Sequence, residues 1–182
     1  MSLQASLVTQ PGPLPAGHFP QLTFRLVNAG DQPVRFLTYL IDYRLKAALV
    51  ATNLGKGPSF ELQPFRPLQL EKPSNDDVLT LEPGEDWTHP FLWSDAWQFG
   101  FIQRHSQPPM VTPGYKLKGF PAGQFRFSTL LFDQLGAYVG QDGLFDHQLK
   151  SYRLPDDIPE GRQCWGDMVC PEVEAEAVVE FA

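Results

Sequence analysis

The two cysteines of the chain, Cys164 and Cys170, form the most site-like local pattern in the sequence. The segment between them contains Gly166 and Asp167, residue types that favour a tight turn. A disulfide across this turn would stabilise the chain by about 2 kcal/mol in the loop-entropy model. The alternative is a pair of reduced thiols in a cytoplasmic protein. The spacing does not match a Cys-x-x-Cys redox pair, and a zinc site would need two further ligands.

Aromatic residues crowd one stretch of the chain: Trp87, Phe91, Trp93, Trp97, Phe99 and Phe101. Exposed rings supply rigid contact area for sugars or peptides. We therefore take Trp93 and Trp97 as the candidate binding surface. The alternative interpretation is that these rings pack in the protein core, and we expect this for most of them.

Several aspartates lie in a glycine-rich region: Asp133, Asp142, Asp146, Asp156 and Asp157. Carboxylates are the hard oxygen ligands that calcium takes, but the spacing matches no EF-hand loop. Aspartate also forms local hydrogen bonds in turns, and this second interpretation explains the region without a metal. We expect no metal and no cofactor.

The histidines are isolated in the sequence: His18, His89, His105 and His147. A hydrolase needs a nucleophile, a base and an orienting acid together in space. The sequence contains no Gly-x-Ser-x-Gly elbow, no phosphate-binding loop and no dinucleotide fingerprint. We therefore do not expect an enzyme.

The charge of the chain argues against two classes of partner. Its formal net charge is −7, whereas nucleic acid requires a basic face. Lysine and arginine are dispersed, so no polybasic patch for a membrane surface appears. No apolar run reaches the roughly 20 residues of a membrane span. We expect a cytoplasmic protein from the sequence as printed, and an exported one if a leader has been removed.

Alternating apolar residues predict the strands that must position these side chains. The clearest runs are residues 22–43, 124–132 and 173–181. We predict that residues 22–43 form a hairpin around the turn at 28–31 and lie beside the other two runs. Phe24 and Phe36 should then be buried, and their exposure would contradict the predicted fold.

The whole pattern predicts an all-β protein. About seven or eight short strands are separated by scattered turn residues, among 18 prolines and 15 glycines, and no long amphipathic helix is evident. An immunoglobulin-like antiparallel β-sandwich fits best. We predict a single domain over residues 1–182, with long loop insertions near 99–113 and 133–161.

Several short segments carry a resemblance to a known family: LTF at 22–24, NAGD at 28–31, VRFL at 34–37, DVLTLEPGE at 77–85, LWSDAW at 92–97 and PAGQFRF at 121–127. They resemble the non-catalytic β-sandwich domain that precedes the catalytic domain in deuterolysin-like and peptidyl-Lys zinc metallopeptidases. That catalytic domain carries a His-Glu-x-x-His motif, which does not occur in this sequence. The resemblance therefore implies an immunoglobulin-like fold and an accessory role, and no protease activity.

Three functional hypotheses remain open. The first is a non-enzymatic module that binds another protein, in a protease-associated or inhibitor-like role. The second is a carbohydrate-binding module that uses Trp93 or Trp97. The third is an enzyme whose site the sequence does not reveal. We expect a protein partner of unknown identity, no nucleic acid and no membrane span, and we leave a sugar or small-molecule ligand open.

Overall fold

A computed structural model describes residues 3–38, 41–64, 78–93, 97–103, 110–112, 119–131, 144–146, 151–153 and 173–182 of the chain. These residues form mostly strands and one short helix, α1 (Ile41–Ala47), so the predicted all-β class is confirmed. The strands are β1 (Leu3–Thr9), β2 (Leu22–Asn28), β3 (Val34–Leu37), β4 (Val50–Asn53), β5 (Phe60–Pro64), β6 (Val78–Leu81), β7 (Asp86–Pro90), β8 (Trp97–Gln103), β9 (Met110–Thr112), β10 (Gly123–Leu131), β11 (Leu144–Asp146), β12 (Ser151–Arg153) and β13 (Val173–Phe181).

The strands pair in two larger sheets and two small ones. The three-stranded sheet has the order β1-β2-β7, and the six-stranded sheet has the order β13-β10-β4-β5-β8-β9. Two further pairs, β3 with β6 and β11 with β12, complete the described ladders. All of these strand pairs are antiparallel. One isolated parallel bridge joins Leu14 to Phe181 at the edge of β13.

The strand count exceeds the seven or eight that the sequence predicts. Four of the additional strands fall in the two regions interpreted as long loops: β8 and β9 overlap residues 99–113, and β11 and β12 lie within residues 133–161. In β8, Trp97, Phe99 and Phe101 alternate with Gln98 and Gly100, and the glycine obscures the β pattern. Strands of three residues, such as β9, are too short to show a period.

The predicted hairpin over residues 22–43 does not form. Strand β2 pairs with β1 and β7, β3 pairs with β6, and the chain turns into α1 at Ile41. The predicted neighbours of β2 are also wrong, because β10 and β13 pair with each other. The sequence shows which faces are apolar, but it does not show which strands are neighbours.

Asn28 explains why the chain does not fold back on itself after β2. Its side chain is fully buried. The Nδ2 atom donates to the carbonyl oxygens of Gln32 at 2.8 Å and Leu81 at 2.9 Å, and Oδ1 accepts from the Gly30 N–H at 3.0 Å. These hydrogen bonds tie the turn after β2 to the end of β6, in a different ladder. The segment after the turn therefore finds its partner in β6.

We expect Asn28→Ala to lower the free energy of unfolding by about 1–2 kcal/mol, since it removes three hydrogen bonds, one of them the buried bond to the Leu81 carbonyl oxygen. Urea unfolding followed by tryptophan fluorescence measures this change. Asn28→Asp is the matched control. Its carboxylate can still accept from the Gly30 N–H, but it cannot donate to the carbonyl oxygens of Gln32 and Leu81. Wild-type stability in both variants would show that this network contributes nothing.

Both larger sheets contribute to one hydrophobic core. Strand β2 supplies Leu22, Phe24 and Leu26, and the six-stranded sheet supplies Phe127 and Phe181 among others. This follows from the alternation of apolar residues along each strand, which places every second side chain on the inner face. Phe24 and Phe36 are fully buried, as the sequence-based test requires. No helix in the described part of the chain is both long and apolar enough to span a membrane.

Phe120 lies at the centre of the aromatic part of this core. It is fully buried, and the surrounding rings have centroids between 4.9 and 6.0 Å from its own. The neighbours are Phe19, Phe60, Phe125, Phe127 and Phe181. Most of these pairs are edge-to-face, the geometry that aromatic quadrupoles favour. The backbone of Phe120 is fixed as well, because its N–H donates to the His18 carbonyl oxygen at 3.0 Å.

Candidate functional site

The structure describes Trp93, one of the two tryptophans in the candidate binding surface. Its side chain is half-buried against the core. The indole N–H donates to the Pro20 carbonyl oxygen at 2.7 Å, and the ring stacks on Phe19 with a centroid distance of 5.2 Å. These contacts fix its orientation, and its role as a binding surface stays a prediction.

Other sequence-predicted positions fall wholly or partly outside the described residues. Trp97 begins β8, where its backbone is opposite Pro64, but the structure does not describe its side chain. Cys164 and Cys170 lie outside the described residues. The disulfide therefore stays a prediction. The core interpretation of the aromatic stretch is confirmed for Phe91, which is buried, and for Trp87, which packs against the core.

Three polar side chains meet where α1 approaches β7: Asp42, Lys46 and His89. Lys46 is only 3% exposed, and its Nζ donates to Asp42 Oδ2 at 2.7 Å and to the Leu92 carbonyl oxygen at 2.6 Å. His89 Nε2 lies 3.2 Å from Asp42 Oδ1 and must carry the hydrogen, because a carboxylate only accepts. We call these three residues the clamp.

The electrostatics of the clamp favour an ionised Asp42. Partial burial raises the pKa of this carboxyl group, but the hydrogen bonds and positive charge of His89 and Lys46 outweigh burial and bring its pKa below the ordinary value. Both carboxylate oxygens are thereby engaged. The clamp connects α1 to β7 and to the carbonyl group of residue 92.

A histidine bound to an aspartate is also the orienting half of a hydrolase triad. The triad further requires a nucleophile at the other ring nitrogen. Among the described residues, the hydrogen bond of the His89 ring is to Asp42, and Trp87 stacks on its face at 5.6 Å. Lys46, the third member of the clamp, is buried and donates to two acceptors. We therefore interpret the clamp as a structural connection.

A cleft of about 440 Å³ opens between β1, β10 and β13. We call it the edge cleft. Small and polar side chains line it: Ala5 and Ser6 from β1, Ala48 after α1, residues 128–130 from β10 and residues 174–176 from β13. The small size of most of these side chains leaves the space open. The cleft lies beside the last strand of the six-stranded sheet.

One side of β13 carries backbone groups that do not pair with any described strand, although β1 runs alongside it. Leu14 donates its N–H to the Glu180 carbonyl oxygen, and its own carbonyl oxygen accepts from the Ala182 N–H, both at 2.8 Å. The N–H and C=O of one strand residue point to the same side, and that side alternates along the strand. Glu174, Glu176 and Val178 therefore direct their backbone groups to the same side as Glu180.

Among the described residues, no strand pairs with residues 173–179 on that side of β13. We call the outward backbone groups of Glu174, Glu176 and Val178 the free edge. The side chains of these residues are exposed on the outer face of the sheet, together with Glu180. Arg126 Nε lies 3.9 Å from Glu176 Oε2, and both side chains are largely exposed. The outer face beside the free edge is therefore acidic.

Comparison with protein-family models, with curated proteins and with solved structures finds no match for this chain. The resemblance to the accessory domain of metallopeptidases therefore stays a prediction. Neither the clamp nor the free edge was among the sites predicted from the sequence. The i, i+4 spacing of Asp42 and Lys46 was the one signal for the clamp, and it only became informative once a helix was known to begin at Ile41.

Proposed function

We propose that this chain is a non-enzymatic, immunoglobulin-like β-sandwich module that binds an extended segment of a protein partner at the free edge of β13. The observation that carries the proposal is the row of outward backbone groups at Glu174, Glu176 and Val178, with the edge cleft beside it. Strand addition to an exposed sheet edge is a common mode of peptide recognition, since main-chain hydrogen bonds supply affinity.

The strand order supports the immunoglobulin-like part of the proposal. The order β1-β2-β7 corresponds to strands A, B and E of that fold, and β13-β10-β4 corresponds to strands G, F and C. Both sheets bury side chains in one core. The segment that follows β1 also reaches the other sheet, because Leu14 forms a parallel β-bridge with Phe181. Strand β1 therefore runs alongside β13, and the Leu14 segment joins the two sheets on this side of the sandwich.

The free edge favours a binding role because exposed edges are a liability that proteins usually block. Prolines, bulges, charged side chains and a covering element are the usual means. Strand β13 is a regular nine-residue strand without proline or bulge, so its exposed glutamates and the neighbouring β1 are the means that it shows. Its exposed glutamates discourage pairing with acidic or identical edges by like-charge repulsion. A partner segment of suitable charge still finds a continuous set of donors and acceptors.

Val178→Pro tests strand addition directly. Proline removes one outward N–H, and edge strands tolerate proline where the N–H does not bond to a neighbouring strand. Linear peptides selected from a random library on the immobilised chain are expected to bind this variant about tenfold more weakly, because each loses a main-chain hydrogen bond. Isothermal titration calorimetry measures the affinities, and urea unfolding checks that the variant is folded.

Val178→Ala is the matched control, since it shortens the exposed side chain but keeps the N–H. Its affinity for the same peptides should stay within about twofold of wild type. Equal binding to wild type and to Val178→Pro would contradict strand addition at this edge. A library that yields no binding peptide would contradict the proposed function as a whole.

A further inference from the structure

We infer that β1 is a movable cover of the free edge, and that a partner segment pairs with β13 only after β1 has moved away from it. This inference rests on the proposed function and adds the regulation of that site. Cα atoms of β1 lie within 8 Å of Cα atoms of β13, although no described ladder joins the two strands. Since paired strands are about 4.8 Å apart, a strand added to β13 needs part of the space that β1 occupies.

Strand β1 is held less firmly than its neighbour β2. It is the end strand of its sheet, and among the described strands it forms a ladder with β2 alone. Leu7 is the one buried side chain of its seven, whereas four of the seven side chains of β2 are buried. At the end of β1, the buried hydroxyl oxygen of Thr9 forms no hydrogen bond with any described residue. An unsatisfied buried hydroxyl group is costly, and release of β1 returns it to water.

The packing between β1 and β13 is open. The edge cleft, with a volume of about 440 Å³, lies between them, with Ala5 and Ser6 on one side and residues 174–176 on the other. Side chains as small as these bury little apolar surface against β13, so little of this contact is lost when the two strands separate. The main cost of the movement is therefore the ladder between β1 and β2.

The segment after β1 supplies an anchor and a hinge. Leu14 is buried, and its two backbone hydrogen bonds of 2.8 Å hold it to the end of β13. Residues 11–13, between β1 and this anchor, are exposed. Gly12 has φ of 83°, and the space around it is open in the described part of the structure. Because hinges are a few loop residues that absorb a change of backbone angles, β1 can rotate about residues 10–13 while Leu14 stays in place.

A reversible disulfide between β1 and β2 tests the movement. Val8 and Thr23 are directly opposite each other in the ladder, where Cα atoms are about 4.5–5.5 Å apart, within the range of disulfides. The variant Val8→Cys, Thr23→Cys is prepared in a Cys164→Ser, Cys170→Ser background and is compared in its oxidised and reduced forms. The probes are the library peptides whose binding Val178→Pro weakens, and isothermal titration calorimetry measures their affinities. We expect the oxidised form to bind about tenfold more weakly than the reduced form, or weaker still, because only the released state pairs with the peptide.

Leu7→Ala tests the same movement in the opposite direction. It removes the one buried side chain of β1, so the released state becomes more populated. We expect this variant to bind the same peptides about tenfold more tightly than wild type, although urea unfolding should show that it is less stable. Val8→Ala, at an exposed position of β1, is the matched control and should bind within about twofold of wild type.

Equal affinity of the oxidised and reduced forms would overturn the inference and leave strand addition at the free edge standing. A folded Leu7→Ala variant that binds no more tightly than wild type would also overturn it, because a merely structural role of β1 gives no gain in affinity. If Leu7→Ala does not fold, the comparison of the oxidised and reduced forms decides alone. A chain that binds no library peptide, or whose peptides are unaffected by Val178→Pro, overturns the proposed function and this inference with it.

Discussion

Phe120→Ala is expected to lower the free energy of unfolding by about 3–5 kcal/mol, the usual cost of emptying a buried phenylalanine site. The ring is fully buried and contacts the ring of Phe19 and aromatic side chains of the six-stranded sheet. Its loss removes apolar burial and also several edge-to-face contacts at once. Because natural domains have only about 5–15 kcal/mol of stability, the urea midpoint should fall steeply.

The surrounding rings cannot readily close the cavity. Phe125 and Phe127 lie on β10, whose pairing with β13 and β4 fixes their backbone positions, and Phe181 is fixed in the same way on β13. Phe120→Leu is the graded control, since it keeps part of the volume and should cost clearly less than alanine. Val178→Ala, at an exposed position, should change stability by less than about 0.5 kcal/mol. Similar effects for Phe120→Ala and Val178→Ala would contradict this description of the core.

Strands with clean alternation could be predicted from the sequence. The run predicted at residues 173–181 is observed as β13, with Ala175, Val179 and Phe181 buried and the glutamates exposed. The Pro-Gly pair at residues 83–84 likewise forms a turn: Gly84 has φ of 83°, and the Glu85 N–H donates to the Glu82 carbonyl oxygen at 3.0 Å. Both features depend on local preferences of the backbone and side chains, which sequence carries directly.

Strand neighbours could not be predicted in the same way. A two-residue period indicates which face is buried but does not indicate the partner strand, and many pairings bury the same face. The turn at residues 28–31 looked like a hairpin because its residues favour turns. Instead, the buried Asn28 side chain donates to the carbonyl oxygen of Leu81, 53 residues away in the chain, and such a long-range contact leaves no local pattern.

The free edge and the clamp show the same contrast between local patterns, which the sequence indicates, and long-range contacts, which it does not. The exposed row of Glu174, Glu176 and Glu180 was visible in the sequence as one face of the last strand. Its position at a free edge was not, because an edge is a property of the sheet order. The clamp was hidden for a related reason: Asp42 and His89 are 47 residues apart in the chain. Only the packing of α1 near β7 brings them together.

Asp42→Asn is expected to lower the free energy of unfolding by about 2–3 kcal/mol. The variant removes the Asp42 carboxylate from the Lys46 ammonium group, which is 3% exposed, and breaking a buried ion pair from one side is costly. Complete removal of one partner from a fully buried pair costs about 3–5 kcal/mol. We expect less here because the Asp42 side chain is 43% exposed, and water screens that end of the pair.

The difference in the free energy of unfolding between the wild type and Asp42→Asn should depend on pH, and its sign follows from the pKa of Asp42. The pKa of Asp42 is lowered in the folded chain from its model-compound value of 3.8, so the folded state favours the ionised carboxylate. The stability that Asp42 contributes is therefore fully present above the unfolded-state pKa and is lost as pH falls through the lower folded-state pKa. The wild type and Asp42→Asn should converge in stability under acid conditions, as measured by urea unfolding at a series of pH values.

The double variant Asp42→Asn, Lys46→Met separates the cost of removing one member of the Asp42–Lys46 ion pair from the loss of packing. Methionine keeps much of the lysine stem and its contacts but removes the ammonium group, and replacing a buried ion pair by apolar groups is often close to neutral. The double variant should therefore recover more than about 1 kcal/mol relative to Asp42→Asn alone, a non-additivity expected of residues in direct contact. If the double variant is as unstable as Asp42→Asn, the cost arises from lost hydrogen bonds between α1 and β7. The buried charge of Lys46 would then not be what makes Asp42 necessary.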